Sequence, residues 1–197
     1  MIIDELIFDR TEEDVNRLKE FKSRIMKSGL SALTADEVDE YIGGMKGAYN
    51  ASDLNRVGEA VAYLTDYLIA SVDELDALRE ELDVASDVNR DLPYNREDVV
   101  TAPKTDWSMR DIPTQYQMER YLSDLSVLRS LMPLPENTPV VPNTLSGMTY
   151  ITANGIEQML YVLYQTVTKF VDKAEYLIRK TPLGYFYSDE VYGGETD

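Results

Sequence analysis

Neither cysteine nor histidine occurs anywhere in the 197 residues. The first absence excludes disulfides and thiolate nucleophiles, and the two together exclude the usual zinc sites and the Ser-His-Asp and Cys-His mechanisms. Carboxylates remain as the main acid–base groups. Positive charge is also scarce: 19 Lys and Arg stand against 36 Asp and Glu, a formal charge of -17. Phosphate backbones are bound through clustered cations, so nucleic acid is not an expected partner. No apolar run approaches the roughly 20 residues of a membrane span. The start Met1-Ile2-Ile3-Asp4-Glu5-Leu6 carries acids where a signal peptide needs bases, so a soluble chain without membrane insertion is expected.

What is present is helical periodicity. Apolar residues make up 44% of the chain, enough to fill the core of one ordinary domain. Thr11-Glu12-Glu13-Asp14 reads as the cap of a first helix with Val15, Leu18 and Ile25 on its buried side, closed by Gly29. The preceding Leu6-Ile7-Phe8 suits a short strand or a staple against it. Thr34-Ala35-Asp36-Glu37 has the capping-box form, an oxygen side chain three residues before a carboxylate, and Val38, Tyr41 and Ile42 follow at helical spacing. Gly43 and Gly44 then end that helix, and Asn50 or Ser52 can cap the next.

Two helices are expected to be long. Leu54, Val57, Val61, Leu64, Leu68, Leu75, Leu78 and Leu82 fall at alternating three- and four-residue steps, with Ser71 in the missing apolar slot. A helix from Asp53 to Asp83 would span about 46 Å. It either bends near Ser71 or projects from the body, and Ser71-Val72-Asp73-Glu74 resembles a cap at which it would break in two. Ile156, Leu160, Leu163, Val167, Phe170, Ala174 and Leu177 repeat the alternation, with Met159, Val171 and Ile178 widening the stripe. That width favours packing within one chain, with an intermolecular coil as the alternative.

The middle is loop-rich. Pro93 and Pro103 flank Val99-Val100, which could form an edge strand but not a central one. Thr114-Gln115-Tyr116-Gln117 caps a fourth helix that carries Met118, Tyr121, Leu122, Leu125 and Leu128 and stops before Pro133. Pro133, Pro135, Pro139 and Pro142 then make an extended connector. Acidic pairs such as Glu12-Glu13, Asp36-Glu37 and Asp39-Glu40 mark helix starts, where unpaired N–H groups favour negative charge. Gly43-Gly44-Met45-Lys46-Gly47 lacks the Gly-Lys-Ser/Thr ending of a phosphate loop, and no calcium-loop pattern occurs. The sequence assigns no catalytic, cofactor-binding or metal residue.

Three stretches carry a resemblance. Gly44-Met45-Lys46-Gly47-Ala48-Tyr49-Asn50, running on to Asp53-Leu54-Asn55-Arg56-Val57, is followed by Lys104-Thr105-Asp106-Trp107 and Asp111-Ile112-Pro113-Thr114. With the aromatic close from Gly184 to Glu195, these are similar to an uncharacterised family encoded in the tail modules of phages and prophages of Gram-positive bacteria. The stretch from about Ile69 to Val100 departs from that family in being longer and more acidic. The resemblance brings a setting but no activity, ligand or catalytic residue.

Fourteen tyrosines supply the remaining signal, since Tyr joins apolar area to a polar tip. Tyr49 and Trp107 read as core or corner plugs. Tyr185, Phe186, Tyr187, Val191 and Tyr192, beyond Pro182 and Gly184, form a candidate interface. The expected fold is mainly α: a helical bundle with two long heptad-patterned helices, a loop-rich middle and an extended aromatic C-terminal tail. Its regions are 1–83 (helical), 84–113 (loop-rich), 114–183 (helical) and 184–197 (tail). The expected role is a non-enzymatic virion protein of the distal tail, made in the host cytoplasm. It would associate with itself, as a trimer, and with other tail proteins near the fibres and baseplate. The alternative is a soluble acidic effector that inhibits a host DNA-binding protein by mimicking nucleic acid.

Overall fold

The computed structural model describes residues 1–84 and 92–184, with only the backbone described for the last four. The chain is mainly helical. Its elements are α1 (Glu12–Ser28), α2 (Ala35–Gly43), α3 (Ala51–Glu81), α4 (Gln115–Ser130) and α5 (Tyr150–Gly184), with 3-10 turns at Ile2–Glu5, Leu30–Ala32 and Arg96–Asp98. No strand occurs among the described residues.

Local chemistry sets most of the helix starts. Thr11 Oγ1 accepts from the Asp14 amide at 3.2 Å while the Asp14 carboxylate takes the Thr11 amide at 2.7 Å. Thr34 with Glu37, and Thr114 with Gln117, make the same reciprocal pair. At α3 the Asn50 side chain takes the Ser52 amide and Asp53 takes the Asn50 amide, so orphan donors at all four starts are satisfied.

α3 and α5 pack along each other, α4 lies against both, and the Ile2–Glu5 turn packs on α3 and α5. Val57, Leu64 and Leu68 of α3 meet Leu125 and Leu128 of α4 and Ile156, Leu160, Leu163 and Val167 of α5 in one buried cluster. Each such side chain contributes about 1.5 to 3 kcal/mol by leaving water. Farther along, Leu75 and Leu78 join Ala174 and Ile178 in a separate cluster. α1 builds its own small core from Leu18, Phe21, Leu33 and Met45.

Several expectations change in detail. Phe21 takes the buried place on α1, whereas Val15 and Ile25 are only partly covered. Ser71 does not break α3, because its hydroxyl returns to the Tyr67 carbonyl at 2.8 Å and needs no other partner in the core. Val99 is buried after a 3-10 turn, with no strand to pair. α5 runs through Pro182 to Gly184, one residue beyond the expected helical region. A proline so near a helix end forfeits little of the hydrogen-bond ladder. Tyr185, Phe186, Tyr187, Val191 and Tyr192 lie outside the described residues. No helix among the described residues is long and apolar enough to cross a membrane.

Candidate functional site

The glycine corner after α2 is built to bring backbones together. Gly44 adopts φ +96°, a conformation side chains rarely accept, and turns the chain back toward α1. Met45 drops into the small α1 core. A Cβ on Gly47 would lie 2.2 Å from the Asp14 carbonyl oxygen, so only glycine lets this loop rest on α1. Tyr49 then reaches α4, its hydroxyl 2.5 Å from that of Tyr121. Burial is the main reason both phenols hold their protons above the usual tyrosine range.

The segment Lys104–Trp107 straps across α3 on the other side. A Cβ on Gly58 would meet the Lys104 carbonyl oxygen at 2.4 Å, so the strap needs glycine beneath it. Asn55 holds the strap through the Trp107 backbone. The Lys104 ammonium sits 4.9 Å from the centre of the Trp107 ring, a cation–π contact over a buried indole. Beneath the strap, Asp124 is buried, with Oδ1 accepting from the Ala102 amide at 3.2 Å and Oδ2 unbonded. Burial pushes its carboxyl above the usual range, against the pull of the Ala102 amide and Arg120.

Four charged side chains lock the two sides to α5. Glu157, fully buried, accepts from Arg10 at 2.7 Å and from Arg56 at 2.8 and 2.9 Å, and also takes the Ile7 amide at 2.6 Å. Asp53 accepts from the same two guanidinium groups and from the Asn50 amide. Burial works against the charge of Arg56, yet its bonds to Glu157 and Asp53 outweigh that and hold its proton more tightly than usual. Asn154 adds a reciprocal pair with the Arg10 backbone, at 3.1 and 2.8 Å. Two cations thus meet two carboxylates in a balanced cluster that ties residues 7–10 and the start of α3 to α5.

Beside this cluster opens a cleft of about 700 Å³. Gly47, Ala48 and Tyr49 form one wall, Pro113 and Met118 a second, and Leu145, Met148 and Tyr150 a third. Lys19 and Lys46 are exposed on its rim, and Lys46 meets the exposed Asp9 at 2.7 Å. The Arg10 guanidinium lies 5.7 Å from the centre of the Tyr49 ring between cluster and cleft.

Trp107 is buried as a core plug, and Tyr49, partly exposed to the cleft, packs from the glycine corner against the same core. Sequence reasoning missed Arg10 and Glu157. A signal for the second existed: Glu157 is the only Asp, Glu, Lys or Arg between Glu136 and Lys169. A lone acid in an apolar stripe asks for a buried cation. Among the described residues no group of three or more Asp or Glu is placed to hold a metal ion. No protein-family model, curated protein or solved structure matches this chain.

Proposed function

We propose that the chain is a non-enzymatic structural protein of a phage tail, placed in the distal region where fibres or receptor-binding parts join the baseplate. The observation that carries this reading is where the segments behind the resemblance fall. Asn55 grips Trp107, Gly58 seats Lys104, Gly47 seats Asp14, and Asp53 and Arg56 complete the buried cluster. Each side chain faces another part of the same chain. These groups serve to fix one geometry, which is what a static assembly part requires.

The helical arrangement supports the same reading. α3 and α5 act as a bundle core about 50 Å long, a rod stiff enough to space two neighbours. Their apolar seams cover each other within one chain, so association would use other surfaces, in a symmetric homo-oligomer such as a trimer. The protein would then be made in the bacterial cytoplasm and leave with the virion.

Mass spectrometry of purified virions tests this directly. The chain should be found in stoichiometric amounts and should co-purify with tails after heads are removed. Its absence from virions, together with salt-sensitive capture of a host DNA-binding enzyme, would replace this reading with acidic mimicry.

A further inference from the structure

We infer that the cleft between Gly47, Met118 and Met148 receives residues 185–192 of a second copy of this chain, joining copies head to tail. The inference rests on the assembly role proposed above and names the surface and the occupant that would serve it.

The cleft is unlike the rest of the surface. The chain as a whole carries almost two acids for each base, yet the exposed charged residues lining the cleft are Lys19 and Lys46 against a single Glu12, while Arg10 beneath them is neutralised by Asp53 and Glu157. Its walls are Tyr, Met and Leu, and methionine packs well on aromatic rings. Exposed apolar residues continue from its edges, Ile112 next to Pro113 at 87% exposure and Ile151 next to Tyr150 at 67%. The pair between Lys46 and Asp9 is exposed and screened, so an incoming carboxylate can replace it at little cost.

Chemistry of the complementary kind exists in this chain. Tyr185-Phe186-Tyr187-Ser188-Asp189-Glu190-Val191-Tyr192 carries four aromatic rings and two acids and no base. Rings suit the Met and Tyr walls, and Asp189 and Glu190 suit the lysine rim.

Distance then decides whose cleft is filled. α5 begins at Tyr150, in the wall of the cleft, and its 35 residues place Gly184 about 50 Å away along the axis. Tyr192 lies eight residues beyond Gly184, and eight extended residues span at most about 29 Å. The segment cannot reach the cleft of its own chain. It can enter that of a neighbour, and a junction between two different surfaces closes into a ring or grows into a filament.

The test uses full-length protein in two forms. One carries Tyr185→Ala, Phe186→Ala and Tyr187→Ala; the other carries Met148→Glu and Lys19→Glu. Circular dichroism melts first establish that both fold. In sedimentation velocity, wild type should form concentration-dependent oligomers and each variant alone should be monomeric. An equimolar mixture should form a dimer and nothing larger, because only one junction is intact. A fluorescein-labelled peptide of residues 184–197 should bind the tail variant and bind the cleft variant at least about tenfold more weakly. Should Met148→Glu impair folding, Lys19→Glu with Lys46→Glu should weaken the peptide, and Asp189→Lys with Glu190→Lys in the peptide should restore it. Oligomers that persist in either folded variant, or a peptide that binds neither protein, overturn the inference. These readouts concern self-association alone, so a chain missing from virions that still joins head to tail would sink the tail reading and spare this one.

Discussion

Asn55 on α3 holds the backbone of Trp107 at both polar groups, donating to its carbonyl at 2.9 Å and accepting from its amide at 2.7 Å. The two residues are 52 positions apart, and one side chain stands in for a rung of secondary structure. Trp107 is also the only tryptophan, so this contact reports on itself.

Replacing Asn55 with Leu should therefore cost about 1 to 3 kcal/mol through a backbone amide and carbonyl left without partners. Tryptophan emission should shift to the red while the far-ultraviolet helix signal stays near wild type, because the strap lifts before the helices melt. Unchanged emission in a folded Asn55→Leu protein would show that the strap is held by burial of the indole alone.

The buried cluster makes a second prediction. Glu157→Leu leaves Arg10 and Arg56 to share Asp53 alone, with one cation in excess, and breaking a buried pair on one side costs about 3 to 5 kcal/mol. Adding Arg56→Met removes the excess charge, so the double variant should be more stable than the sum of the two single losses predicts. Urea unfolding of the four proteins measures this, and strict additivity would count against the cluster as a unit.

The helix starts were legible because capping is local: Thr11, Thr34 and Thr114 each find their partner three residues on. Most of the apolar seam of α5 was legible for the same reason, since periodicity says which residues share a face. What could not be read was which distant residues meet. Arg10 and Glu157 are 147 positions apart, and no spacing rule connects them. The cleft was hidden too, because its lining comes from four separate stretches that only the fold brings together. Nothing in the sequence marks Gly47 and Gly58 for their use, which is close approach of a backbone and depends on where α1 and the strap lie.

The seam of α5 sharpens into a third prediction. Leu163 is fully buried in the larger cluster with residues of α3, whereas Phe170 is only partly covered and packs against the outside of that cluster. Leu163→Ala should cost about 2 to 5 kcal/mol and Phe170→Ala distinctly less, although phenylalanine is the larger residue. Gln165 and Lys169, both exposed, should tolerate alanine with little change. Thermal melts that rank Phe170→Ala as the more damaging would mean that the exposed part of that ring is covered in solution by another chain.

The last prediction concerns acid. Glu37 bonds twice to Arg24 at 2.8 Å, which is the main reason its carboxyl falls from 4.5 to about 2, and it also takes the Thr34 amide at the start of α2. A carboxyl lowered on folding stabilises the folded state above its unfolded value, and that contribution fades as pH falls from about 4.5 toward 2. Glu37→Gln keeps a capping partner for Thr34 but loses the charge that holds α1 to α2 through Arg24. Wild type should thus exceed Glu37→Gln in unfolding midpoint above pH 5, and the gap should close steadily as the solution is brought toward pH 3. Other carboxylates titrate alike in both proteins and cancel in the difference. A gap that stays constant over this range would mean that Glu37 acts through shape and hydrogen bonding, with its charge contributing nothing to the joint between the two helices.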